Sequence, residues 1–107
     1  MGRYRSRRPE EIAMGLVAAQ AAIAKTAQAL AERSAALLDA VDPAAPFSVD
    51  VAAQTAELFV AMDEATTTVR REIVTALAGV YTHEQLAQIV GMSPWWVGKV
   101  LREAGKP

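Results

Sequence analysis

The sequence predicts an all-α fold, with a long antiparallel two-helix hairpin followed by two short helices. Apolar residues recur every three or four positions through residues 9–78, as they do on one face of an α-helix. Two prolines in the stretch "DPAAP", residues 42–46, interrupt that pattern and mark a connector. Alanine supplies much of the 52% hydrophobic content, and because it favours helix but buries little area, we expect thin helix interfaces.

The first helix is expected from Pro9 to about residue 41. Proline is tolerated in a first helical turn, and Glu10 and Glu11 place carboxylates at the positive end of the helix dipole. The second helix is expected to begin after Ser48 or Asp50, both good N-caps, and to end near a glycine at position 79.

The hairpin is expected to form a dimer through residues 9–78. Helices about 50 Å long and lined by small side chains leave apolar surface that one chain cannot cover. Two hairpins packed together would form a four-helix bundle with two-fold symmetry. The expected interface comprises a seven-residue repeat on the first helix and a stripe on the second: Leu16, Ile23, Leu30, Leu37, Leu58, Met62 and Val69.

Charge is segregated along a chain whose net charge is −1. Residues 1–8 carry four basic and no acidic residues, residues 9–90 carry four basic and eleven acidic, and residues 91–107 carry three basic and one acidic. Because affinity for nucleic acid follows the local patch, basic ends are compatible with DNA binding despite the low overall charge.

Composition also limits the chemistry and the cellular location that we expect of the protein. The absence of cysteine excludes disulfides and thiolate chemistry. No apolar run approaches 18 residues, and the basic start is not followed by a signal-peptide segment. We therefore expect a cytoplasmic, nucleoid-associated protein that makes no membrane contact.

The C-terminal region carries start and stop signals for two short helices. Thr82, with Gln85 three residues later, forms a capping-box pattern. Gly91 then interrupts the first short helix, and Ser93 followed by Pro94 begins the second. The region therefore consists of a helix, a three-residue turn with glycine, and a second helix.

This pattern resembles the helix-turn-helix of bacterial and phage DNA-binding proteins over residues 83–102. Ala87 stands where that family needs a small residue at the helix crossing, and Gly91 stands where its turn favours positive φ. Its apolar core positions are occupied by Leu86, Val90, Met92, Val97 and Val100. The resemblance implies a DNA-binding region over residues 68–107, in a homodimeric transcriptional regulator that binds an inverted repeat of double-stranded DNA through the helix starting at Pro94.

Two adjacent tryptophans are expected to face different ways on that helix. With Val97 facing inward, a helical wheel places Trp96 at the edge of the buried face and Trp95 opposite it. In the family, the outer face enters the major groove, which gives the candidate DNA-binding residues Thr82, His83, Ser93, Pro94, Trp95, Gly98, Lys99 and Arg102. Gly98 is expected to let the helix approach DNA closely. The alternatives are an incidentally exposed Trp95 and a Trp95 that anchors a protein partner.

The arginine-rich start, residues 1–8, is expected to be a disordered basic arm because it lacks apolar periodicity. It resembles arms that enter the minor groove beside a helix-turn-helix, where the negative potential favours arginine. The candidate contacts to the minor groove or phosphates are Arg3, Arg5, Arg7 and Arg8. The alternative is a solubilising tail.

No residue pattern indicates an enzyme, a cofactor or a metal site. His83 is the only histidine, and the chain has neither a glycine-rich phosphate loop nor a serine triad. Asp63 and Glu64 are adjacent and so point in different directions from a helix.

The main alternative function is an adaptor whose working surface is the hairpin, with weak or absent DNA binding. Recombinase accessory and antitoxin-like roles fit the same residues. The chain also resembles small secreted helical hairpins with a Trp-x-Gly motif, here residues 96–98, but that family carries the motif at its hairpin turn.

Overall fold

The computed structural model describes residues 8–105, and this range contains helices and no strand. The predicted all-α fold is therefore confirmed. The four helices are α1 (Pro9–Ala40), α2 (Val49–Ala76), α3 (His83–Val90) and α4 (Pro94–Glu103). Of the predicted basic arm, Arg3, Arg5 and Arg7 lie outside the described residues, and Arg8 is the exposed residue that precedes α1.

Three of the four helices begin at side-chain caps, as the sequence predicts. Ser48 caps α2 by accepting a hydrogen bond of 3.1 Å from the backbone N–H three residues later. Thr82 and Gln85 form the complete capping box, in which each side chain accepts a hydrogen bond from the other residue's backbone N–H, at 3.1 and 2.9 Å. Ser93 caps α4 in the same way as Ser48 caps α2, at 3.1 Å. These caps satisfy N–H groups that have no partner inside their helices.

Two glycines with positive φ direct the chain between the helices. α2 ends at Ala76, and Gly79, with φ of 82°, lies in the turn that follows it. Gly91 caps the end of α3 in the left-handed conformation, with φ of 72°, and its N–H donates to the carbonyl of Ala87. A side chain at Gly91 would strain the backbone although the space around it is open.

α2 belongs both to the hairpin and to the C-terminal part of the protein. α1 and α2 pack along each other and are joined by residues 41–48, whereas α3 and α4 pack on α2 and on one another. The described residues form an elongated body of 63 × 27 × 20 Å. Because the hairpin is antiparallel, Arg8 at the start of α1 lies at the same end of the molecule as α3 and α4.

The buried core is concentrated in what we call the C-terminal unit, residues 73–105. It is formed by Val74, Ala78, Leu86, Ala87, Val90, Val97, Val100 and Leu101. Of residues 8–70, by contrast, Ala19 is the only one that is buried. Since burial of apolar surface is the main stabilising contribution to folding, the hairpin is weakly supported by its own contacts.

One side of the hairpin is almost free of charge. A groove of about 270 Å³ runs between α1 and α2, and among the described residues that line it Arg70 is the only charged one. Helical periodicity places four exposed residues on the same side of the two helices. We call this side the apolar face, and its large exposed residues are Leu16, Leu38, Phe59 and Met62.

The opposite side of the hairpin is charged. Grooves there are lined by Lys25, Arg33, Glu57 and Glu64 together with small side chains. The predicted dimer-interface residues divide between the seam of the hairpin and its surface. Leu16 and Met62 are exposed, and the half-buried members, which lie between α1 and α2, are Ile23, Leu30, Leu37, Leu58 and Val69. No helix within residues 8–105 is both long and apolar enough to cross a membrane.

Candidate nucleic-acid interface

The inner face of α4 holds this helix against the C-terminal unit. Val97, Val100 and Leu101 are buried, and Trp96 is half-buried and packs against the same core. The expected boundary position of Trp96 is therefore confirmed. Ala104, which the helical wheel would place with the buried residues, is exposed because α4 ends one residue before it.

The outer face of α4 presents an aromatic ring and a cation to solvent. The side chain of Trp95 is 68% exposed, which confirms that it faces away from its neighbour in the sequence. Lys99 follows one helical turn later, and its Nζ lies 5.7 Å from the centroid of the Trp95 ring. That distance is within the range of a cation–π interaction, so the pair restricts the freedom of both side chains before any ligand arrives.

Gly98 is buried beneath two side chains, which the sequence does not predict. The expectation that it gives DNA close access to the helix stays a prediction. A Cβ placed on it would lie 3.3 Å from Nη1 of Arg102 and 3.7 Å from Nδ1 of His83. The helical wheel treats α4 in isolation and so misses His83 of α3, which covers the glycine together with Arg102. Gly98 thus permits close approach between α4 and the start of α3.

The remaining candidate residues are all exposed, and they lie at the start of α3 or along α4. The exposed candidates are Thr82, His83, Ser93, Pro94, Trp95, Lys99 and Arg102. The packing over Gly98 brings Arg102 to the start of α3, where His83 lies. An indole followed along the helix by two cations can contact phosphate oxygens, guanine edges and thymine methyl groups.

Sequence reasoning missed an ion pair that fixes the end of α4. Nη1 of Arg71 in α2 lies 3.1 Å from Oε1 of Glu103, and both side chains are about half exposed. An exposed pair of this kind contributes about 0 to 1 kcal/mol to stability. It also neutralises the only acidic residue in the segment 91–107, which leaves the outer face of α4 positive. The two residues are 32 positions apart, and no local pattern connects them.

No three histidine or acidic side chains of the described part of the chain are grouped so that they could hold a metal ion. No protein-family model matches the chain, and neither a curated protein nor a solved structure is significantly similar to it. A functional proposal therefore depends on the geometry and charge of the residues themselves.

The two tryptophans should separate binding from stability. Trp96→Ala removes a side chain that packs on the core and should lower the free energy of unfolding by about 2 kcal/mol, below the cost for a fully buried aromatic. Trp95→Ala should change that free energy by less than about 0.5 kcal/mol, as is usual at exposed positions, but should weaken DNA binding. Urea unfolding and fluorescence anisotropy with labelled duplex measure the two effects. The reverse result, in which Trp95→Ala destabilises the fold and Trp96→Ala weakens binding alone, would contradict the orientation of α4.

Proposed function

We propose that this chain is a sequence-specific DNA-binding protein of the helix-turn-helix type, acting as a transcriptional regulator with α4 as its recognition helix. The observation that carries the proposal is the outer face of α4, where Trp95 and Lys99 pair and Arg102 reaches the start of α3. A rigid helix that presents cations and an aromatic ring on its exposed side is suited to the major groove.

Each side chain has a role in this proposal. Lys99 and Arg102 contact phosphates or the edges of guanine bases, and Trp95 packs against thymine methyl groups or the sugar-phosphate wall. The acidic middle of the chain repels DNA, whereas residues 91–107 attract it. The charge distribution thus favours approach of DNA to the C-terminal unit rather than to the hairpin.

The proposed regulator is a homodimer that uses the apolar face of the hairpin. The hairpin has almost no buried residues of its own, while Leu38 and Phe59 on that face are 74% and 59% exposed. A face two helices wide and about 50 Å long buries roughly 1,000 Å² per copy, which is enough for a stable interface. Because α2 continues into the C-terminal unit, the dimer also fixes the two copies of α4 relative to each other. The DNA site is then an inverted repeat with half-sites about 34 Å apart, or a multiple of that.

Light scattering at micromolar concentration tests the dimer. We expect twice the chain mass of 11.4 kDa. Anisotropy of a labelled random-sequence duplex tests DNA binding as such, and affinity should fall steeply with added salt because phosphate contacts release counterions. A helical dimer that leaves DNA unbound at about 50 mM salt would contradict the proposal.

Removing the basic arm should lower affinity without altering site preference. Deletion of residues 1–8 removes four arginines that precede α1 in the sequence, and the start of α1 lies at the same end of the molecule as the C-terminal unit. Arm contacts of this kind involve phosphates and the minor groove, which do not distinguish all four base pairs, so affinity for every duplex should fall by a similar factor. Competition between the preferred site and random duplex measures this ratio. A changed preference would mean that the arm reads sequence.

The second candidate function is a protein adaptor that works through the hairpin. The observation that favours it is the exposure of Phe47 and Val49, at 80% and 85%, where the two long helices meet. Exposed apolar residues that are contiguous mark protein interaction sites. An adaptor would retain its dimer and its helices but would show no salt-dependent affinity for DNA, which is the outcome that separates the two functions.

A further inference from the structure

We infer that the two hairpins of the dimer pack antiparallel, so that the acidic tip of each copy lies beside the basic start of its partner. The tip is defined here as residues 38–50, which contain the turn of the hairpin. This inference rests on the proposed dimer and adds the orientation of its subunits, which decides where the two DNA-binding units lie.

The charge distribution along the hairpin supports this orientation. The segment 34–69 contains six acidic residues and no basic residue, namely Asp39, Asp42, Asp50, Glu57, Asp63 and Glu64. By sequence, the segments 1–24 and 70–78, which contain the start of α1 and the end of α2, together carry six arginines and three glutamates, Glu10, Glu11 and Glu72, a net charge of +3. Parallel packing would bring two acidic segments together at one end of the bundle. Antiparallel packing instead brings each acidic segment to a basic end, which is electrostatically favourable.

The grooves fix which residues of α1 and α2 lie at the same level. Ile23 and Val69 line one groove, and Leu37 and Leu58 line another nearer the tip. Ala27 and Thr66 both line the first groove. Along the hairpin, Ala27 and Thr66 lie between the level of Ile23 and Val69 and the level of Leu37 and Leu58, close to the middle of the hairpin. A two-fold axis that crosses the helices at this level would therefore let the two hairpins overlap over most of their length.

The same axis pairs the charges at the apolar face. An axis that crosses the helices places α1 against the partner's α1 and α2 against the partner's α2. Arg70 lies four residues to one side of Thr66, and Asp63 lies three residues to the other side, at the margin of the face. Arg70 therefore opposes the partner's Asp63, twice per dimer. An axis along the helices would instead place Arg70 opposite α1 of the partner, near the uncharged Ile23.

Exposed apolar residues are brought together by the same packing. Leu16 and Leu38 lie equally far from Ala27 along α1, in opposite directions. Antiparallel packing about an axis at the level of Ala27 therefore brings Leu16 to the partner's Leu38. Both residues are exposed in the single chain. The orientation thus supplies an apolar contact for side chains that the chain itself leaves in water.

Distance measurement between nitroxide labels tests the orientation directly. The chain contains no cysteine, so Val49→Cys creates a single labelling site on an exposed residue at the tip. Electron–electron dipolar spectroscopy should give a separation of about 50 Å in the antiparallel dimer, because each tip lies roughly 17 residues from the axis at about 1.5 Å per residue. A separation within about 25 Å would place both tips at one end and overturn the inference.

Disulfide formation between single-cysteine variants provides an independent readout. A mixture of Leu16→Cys and Leu38→Cys chains should form a cross-linked heterodimer, whereas each variant alone should not, because its two thiols lie roughly 30 Å apart. The matched control is a mixture of Ser34→Cys and Phe59→Cys, which places thiols together only in a parallel bundle. Cross-linking of the control mixture but not of the first would overturn the inference and leave the dimer intact.

Light scattering distinguishes an error in the antiparallel orientation from failure of the proposed homodimer. A monomeric mass would overturn both the dimer and its orientation, whereas DNA binding through α4 would still be decided by anisotropy. A dimer with its tips together would overturn the orientation alone.

Discussion

Replacing Lys99 and Arg102 together by alanine is expected to weaken DNA binding about a hundredfold at physiological salt. Each side chain projects from the exposed side of α4, and removing a charged hydrogen-bonding group from such an interface reduces affinity about tenfold. The slope of log affinity against log salt should fall by about 1 for each phosphate that the variant no longer neutralises. Anisotropy at several salt concentrations measures both quantities.

The matched control is Lys25→Ala combined with Arg33→Ala. This pair removes the same charge from the charged side of the hairpin, away from α4. We expect it to change affinity by less than about threefold, because charges beyond a Debye length of about 8 Å are screened. Helical content should be unchanged in both double variants. An equal reduction of affinity in the two would mean that DNA responds to total charge rather than to the outer face of α4.

Replacing Phe59 by glutamate is expected to dissociate the dimer. The side chain is 59% exposed in the single chain and lies on the apolar face, where the proposed partner would bury it. An unpaired carboxylate in that interface costs several kcal/mol, which exceeds what a modest interface can tolerate. Light scattering should give the monomer mass at micromolar concentration. Affinity for an inverted repeat should fall to that of a single half-site.

Val60→Glu is the control for this prediction. Val60 is the next residue along α2 and is 57% exposed, but it points away from the apolar face. The substitution introduces the same charge at nearly the same place in the chain, and the dimer should persist. If Val60→Glu dissociates the dimer and Phe59→Glu does not, the partner covers the other side of α2. Leu30 and Leu58 are less suitable positions, because both are half-buried in the seam and charge there would disturb the hairpin itself.

Local signals account for the parts of the fold that the sequence predicts correctly. Ser48, Thr82 and Ser93 each cap a helix through a hydrogen bond to a backbone N–H three residues later, and this interaction depends only on neighbouring residues. Gly91 takes the left-handed conformation that the turn between α3 and α4 requires. The different orientations of the two tryptophans, with Trp95 exposed and Trp96 at the edge of the buried face, likewise follow from the period of a single helix.

Features that depend on a second helix could not be predicted in this way. Gly98 is buried because Arg102 and His83 cover it, and the position of His83 is set by how α3 crosses α4. The pairing of Arg71 with Glu103 depends on where α4 meets α2. A stripe such as that formed by Leu30 and its heptad neighbours indicates that a helix packs on something, but it does not distinguish the other helix of the same hairpin from a second chain.

Selection of bound fragments from a random duplex pool, with the purified full-length protein, tests whether α4 reads DNA sequence. We expect enrichment of a motif that occurs twice in inverted orientation, with half-sites about 34 Å apart or a multiple of that. Disappearance of this enrichment in the Lys99→Ala, Arg102→Ala double variant would place recognition on α4. A bound pool with no sequence in common, retained equally well by the double variant, would contradict the proposal that α4 is the recognition helix.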